Sequence, residues 1–146
     1  MPLSGNVRVQ INLRIPVTAD VPVYPIHTLT PIHMLTAIII LFAVAAVLGI
    51  TVAVSIITKN PATPKPAVYA HGLFAATALV LLIIYTMNNE TSGTQLSLII
   101  FVIAALGGFI LFYNDLKKKP GPVGLVVVHA LAAVTAFVLL LIYALF

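Results

Sequence analysis

The sequence predicts an all-α integral membrane protein: a four-transmembrane-helix bundle of two tandem two-helix repeats, related by a pseudo-twofold axis along the membrane normal. Three observations predict it. Hydrophobic residues make up 62% of the 146 and charged residues only 7%, and mean hydropathy is +1.19. A soluble domain is about a quarter charged, so this chain cannot cover a water-facing surface and a soluble enzyme is excluded. The apolar residues also fall into four stretches, each near the ~20 residues that cross a hydrocarbon core as helix. None of these four stretches alternates as a barrel strand would, and an open chain in lipid must satisfy its backbone within helices. The third observation is an internal repeat.

Residues 1–30 form an extracytoplasmic tail outside the membrane domain, 31–146. Val7, Val9, Ile11, Leu13 and Ile15 alternate with Arg8, Gln10, Asn12 and Arg14, a period of two that predicts a strand at 7–15. A lone strand is unstable. Either it pairs with the same strand of a second copy, or it lies at the lipid interface, or the tail is loosely ordered. The tail lacks the apolar run of a cleavable signal peptide.

The first span runs over about 32–58, opened by Thr30-Pro31 with proline at the first helical position and closed by Lys59-Asn60-Pro61. The second covers about 67–87, after a proline-rich breaker. The third covers about 94–114, after Asn88 to Gly93, and the fourth about 123–146, after Lys117 to Pro122. Short connections make consecutive helices antiparallel neighbours. The loops after spans one and three carry Lys59, Lys65, Lys117, Lys118 and Lys119, whereas the other side carries Arg8 and Arg14. The positive-inside rule then places the lysine loops in the cytoplasm and both termini outside, most naturally in a bacterial inner membrane. Cations so dispersed set topology and do not make a nucleic-acid surface.

A shift of 58 residues lays the second half on the first without a gap. Pro64 meets Pro122, His71 meets His129, Thr77 meets Thr135 and Tyr85 meets Tyr143, among twelve identities over 64–87. The preceding helices match more weakly, through Thr36 with Thr94, Ala46 with Ala104 and Gly49 with Gly107. An even number of spans per repeat gives both copies one orientation, so equivalent residues share a depth and can face each other across the axis.

His71 and His129 are the candidates that matter. No Asp, Glu, Lys or Arg lies inside the expected spans, and a polar residue within lipid is a functional candidate by default. Cysteine is absent, which excludes disulfides, iron–sulfur clusters, thiolate-ligated haem and covalent haem attachment. Zinc or copper calls for three or four ligands, and di-iron sites need glutamates. Haem b needs only two axial imidazoles and small residues beside them. Those are present: Gly72 and Ala75 follow His71, Ala130 and Ala133 follow His129, and Gly49, Gly107 and Gly108 stand level with the histidines. The lysine loops would meet the propionates. A packed histidine pair, with glycines serving close helix approach, is the competing account of the same residues.

This layout resembles that of four-helix membrane cytochromes b, whose second and fourth helices bring histidines while the first and third bring glycines. The resemblance spans the four helices. Many such proteins carry a further histidine 13 or 14 residues along each ligand helix for a second haem. Here Tyr85 and Tyr143 stand 14 residues beyond His71 and His129, which implies one haem b per chain, with His71 and His129 as the iron ligands. All five tyrosines fall near span ends, as an aromatic belt would place them. His27 and His33 flank Pro31 on the opposite side, in an interfacial role or at a site between subunits.

The expected function is single-electron transfer by a membrane-integral b-type cytochrome, as a relay or a small oxidoreductase subunit with no catalytic residues of its own. Its partners would be the lipid bilayer, a quinone or membrane redox protein, and a second copy in a homodimer. The alternative is a cofactor-free four-helix membrane protein, either a transporter using the histidine pair or an assembly subunit of a larger complex.

Overall fold

A computed structural model of the chain has, among the described residues, four helices: α1 (Pro31–Ile57), α2 (Lys65–Asn88), α3 (Ser92–Leu116) and α4 (Val123–Leu145). It describes residues 31–58, 64–89, 92–119 and 121–146. The strand expected at 7–15, His27, Lys59 and Glu90 lie outside those residues. All four helices are long and apolar enough to cross a membrane. Their outer faces carry exposed Ile40, Val47, Leu73, Leu106 and Leu131, so a bundle this size hides little apolar surface from its own surroundings. Lipid is the solvent that tolerates such a surface.

Helix boundaries follow from prolines and from one unusual C-terminus. Pro64 and Pro122 stand at the N-caps of α2 and α4 in extended conformation. The carbonyl of each accepts from the amides three and four residues on: Ala67 and Val68 in one case, Leu125 and Val126 in the other. The repeat is thus visible in the capping itself. Helix α3 runs to Leu116 and takes in Asp115, where the hydropathy pattern ends the span at Asn114. It stops in a Schellman arrangement, with Lys119 N–H donating to Asn114 O at 2.9 Å and Lys118 N–H to Asp115 O at 3.0 Å. That turn holds Lys118 at φ 54°, a left-handed conformation that costs a side-chain-bearing residue about 1 kcal/mol. Lys118→Gly should therefore raise the unfolding free energy by about 1 kcal/mol, read from reversible denaturation in detergent.

The helices pack as two hairpins. Helix α1 lies along α2, and α3 along α4; the hairpins meet through looser α1/α4 and α2/α3 seams, and the diagonal pairs make no close backbone approach. Ile38, Ala78, Leu82, Ala136 and Leu140 are fully buried. Across the diagonal from α1 to α3, Phe42 and Phe101 stack with centroids 3.9 Å apart and ring planes within 2°. Ser97, fully buried, donates to Ala136 O at 2.8 Å and ties α3 to α4.

These contacts correct the register of the repeat. In α2 and α4 the fully buried pairs, Ala78 with Ala136 and Leu82 with Leu140, are 58 residues apart. In α1 and α3 the corresponding residues are 59 apart: Phe42 with Phe101, and Ala45 with Ala104, both buried. The halves therefore do not superpose without a gap. Two residues separate Pro61 from Pro64, but one separates Pro120 from Pro122, and the lost residue sits in that linker. Gly49 consequently pairs with Gly108, not Gly107.

Candidate functional site

His71 and His129 each stand six residues into their helices, so both lie about 9 Å below the same end of the bundle. They come from diagonal helices, and their side chains fill the centre where those backbones do not meet. The ring centroids are 6.2 Å apart and the ring planes cross at 80°.

Each imidazole is anchored in the same way. His71 Nδ1 lies 2.8 Å from Ala45 O, and His129 Nδ1 lies 2.8 Å from Ala104 O. A carbonyl only accepts, so the ring proton sits on Nδ1, and Nε2 keeps its lone pair for a metal. An Nδ1–H bond to a backbone carbonyl is the support that orients imidazole ligands in metal sites. Gly49 and Gly108 make room for the rings. A Cβ at Gly49 would lie 2.9 Å from His71 Cε1 and 3.0 Å from Nδ1; at Gly108 it would lie 3.0 Å from His129 Cε1. The two sites repeat one design, a carbonyl and a glycine one turn apart on the neighbouring helix.

The other expected site residues divide. Gly107 stands further off, since a Cβ there would lie 3.7 Å from His129 Cβ, 3.8 Å from Leu125 and 3.9 Å from His129 Nδ1, all ordinary contacts. Ala75 and Ala133 are half-buried, one turn below the histidines. Gly72 and Ala130 are exposed, and a Cβ at Gly72 would meet nothing within 4 Å. They immediately follow His71 and His129, so the helical turn carries them away from the axis, and they do not line the space around the rings. His33 is exposed on α1 near the opposite end and takes no part in it.

Above and below, the space around the histidines is bounded by residues that the sequence reading did not single out. Phe42 and Phe101 lie seven residues before Gly49 and Gly108, so their stack closes the bundle about 10 Å along the axis. On the other side Asp115 lies seven residues beyond Gly108, and its carboxylate takes Lys65 Nζ at 2.6 Å. This ion pair joins α2 to α3 at the lysine end. Only the approach of two hairpins brings the two groups together, so neither spacing nor hydropathy announces it.

The tyrosines also differ from expectation. Tyr69 and Tyr113 are exposed at the lysine end, as an aromatic belt requires, and Lys117 Nζ lies 4.6 Å above the Tyr113 ring. Tyr85 is buried, however, and interacts with Tyr143. A Cβ at Gly93 would lie 2.9 Å from the Tyr143 ring. Where a second histidine pair could stand, the axis is closed by a tyrosine pair instead.

Compared with known proteins, the chain matches no family model, no curated protein and no solved structure. Its chemistry is therefore read from the residues alone. No group of three or more His, Asp or Glu occurs among the described residues, so among them a metal at the centre would find two imidazoles as its side-chain donors. Two imidazoles on opposite sides of one metal, at metal–nitrogen distances of about 2.0 Å, put their centroids about 6 Å apart. The observed separation is 6.2 Å, with the rings edge to face. Haem b, which brings its own four equatorial nitrogens, fits this donor set. Gly49, Gly108, Ala45 and Ala104 provide the small surface beside the rings.

Proposed function

We propose that the protein is a membrane-integral b-type cytochrome that transfers single electrons through one bis-histidine haem b. The observation that carries the reading is the diagonal imidazole pair, 6.2 Å between centroids, with both Nδ1 atoms anchored on helix carbonyls. When bound, haem b supplies a one-electron ferric–ferrous couple. The chain's own residues do the rest. His71 and His129 would hold the iron through Nε2; Ala45 and Ala104 fix the tautomer and ring orientation. Gly49 and Gly108 keep the rings on the axis, and the Phe42–Phe101 stack together with Ala78, Ala136, Leu82 and Leu140 keeps the core below them dry. Two protein ligands leave no open coordination position, which favours outer-sphere electron transfer over oxygen chemistry.

The remaining parts of the reading follow from the lysines and from size. The histidines lie near the end that carries Lys65 and Lys117 to Lys119, so the proposed cofactor sits toward the cytoplasm, with both termini outside, in a bacterial inner membrane. A quinone or a membrane redox protein would exchange electrons with it, and a second copy would complete a homodimer.

Absorption spectroscopy tests the proposal. Protein purified in mild detergent should show a Soret band and, after dithionite, sharp low-spin visible bands. The near-perpendicular rings predict a strongly anisotropic low-spin ferric EPR signal. His33→Ala should leave both spectra unchanged. Colourless protein after expression with added haem precursor would end the reading.

A further inference from the structure

The duplication makes the two seams between the hairpins equivalent, yet they are closed by different chemistry. At the lysine end the α2/α3 seam is fastened twice. Lys65 and Asp115 form their ion pair, and one turn deeper Tyr69 and Phe112 meet edge to face with centroids 6.1 Å apart. The pseudo-twofold operation maps Lys65 to Val123, Tyr69 to Val127, Phe112 to Ala53 and Asp115 to Ile56. The α1/α4 seam therefore presents two valines, an alanine and an isoleucine where its counterpart has two rings and two charges. Among the described residues, no ion pair, ring contact or side-chain hydrogen bond joins α1 to α4 at this end.

We infer that the α1/α4 seam is a lateral gate through which a planar, largely apolar macrocycle reaches the histidines from the lipid, while the α2/α3 seam acts as the fastened hinge. The inference rests on the haem reading above. Both seams approach about equally closely along the backbone, so the difference in fastening decides which opens. Parting α1 from α4 separates only apolar side chains, and lipid tails replace those contacts at little cost. Parting α2 from α3 strips a carboxylate from its ammonium and separates two rings packed edge to face. Val123 and Val127 are each 43% exposed, and a Cβ at Gly124 would meet nothing within 4 Å. The gate is therefore open to lipid on its outer side.

The repeat itself supplies the test. Ala53→Phe, Ile56→Asp, Val123→Lys and Val127→Tyr together copy the fastened seam onto the gate. The reverse set, Lys65→Val, Tyr69→Val, Phe112→Ala and Asp115→Ile, copies the gate onto the hinge. Haem uptake by apoprotein in nanodiscs is followed by growth of the Soret band. The copied fastening should slow uptake about tenfold with the final spectrum unchanged. The reverse set adds a second equal route and should at most double the rate. Ala53→Phe with Val127→Tyr alone keeps the test open if four changes prevent folding, and should slow uptake in the same direction. Unchanged uptake in the fastened variants, with strong acceleration in the reverse set, would assign access to α2/α3 and overturn the gate. Failure of the wild-type chain to take up haem at all would instead sink the reading of the site.

Discussion

His71→Ala and His129→Ala will each abolish the six-coordinate low-spin spectrum, and each will do so as completely as the double variant. Haem affinity should fall by more than the roughly 10–100-fold that follows loss of a supporting hydrogen bond, because a ligand itself is gone. Neither change should unfold the bundle. Ala45 and Ala104 keep their places in the helix ladder, and an interhelical hydrogen bond within a membrane contributes only about 0.6 kcal/mol. Circular dichroism should therefore show four intact helices in a protein without the low-spin bands. Added imidazole should enter the space left by either single variant and restore the low-spin bands. A structural histidine pair predicts the opposite pattern: no chromophore in the wild type, and a modest loss of stability in the variants. Equal spectra in wild type and His71→Ala would remove His71 from the iron.

The fold and the identity of the central pair were legible because both rest on properties that a sequence carries directly. Apolar length fixes the spans, and the recurrence of a costly residue type at one depth picks out His71 and His129. The register of α1 against α3 was not legible in the same way. Apolar helices of low complexity align almost as well at 58 as at 59 residues, and the shift of 58 offered Thr36 with Thr94 as a match. Phe42 with Phe101 is decided by a stack across the axis, which only three-dimensional packing produces. Once the register moves by one, the pairing of Gly49 with Gly108 replaces that with Gly107, and the equivalent carbonyls become Ala45 and Ala104. The Lys65–Asp115 pair escaped for a related reason. Both residues lie at helix ends, where a hydropathy boundary uncertain by one or two positions decides whether a charge counts as loop or as bundle. Tyr85 and Tyr143 looked interfacial from their distance to the span ends, but distance along the helix does not say which face a residue occupies.

The glycines turn this geometry into a graded prediction with a change of sign. Inside a helix, Gly→Ala removes backbone freedom from the unfolded chain and is worth about 0.5–1 kcal/mol in favour of folding. Gly72→Ala should realise that gain, since its new methyl meets nothing within 4 Å. Gly107→Ala adds ordinary contacts at 3.7, 3.8 and 3.9 Å and should remain neutral to stabilising. Gly108→Ala brings a methyl to 3.0 Å from His129 Cε1 and 3.5 Å from Nδ1, and Gly49→Ala brings one to 2.9 and 3.0 Å from the same atoms of His71. Those rings are rigid and tethered at Nδ1, so they can yield only by turning about their side-chain bonds and straining the hydrogen bond to the carbonyl. Haem affinity should then fall in the order Gly49→Ala, Gly108→Ala, Gly107→Ala, with the first losing about 10–100-fold, the penalty for losing ligand support. Titration of each apoprotein with haem, set beside its denaturation midpoint, checks both scales at once. Gly108 behaving like Gly72 would mean that the second imidazole is not held against α3, and the two-sided site could not stand.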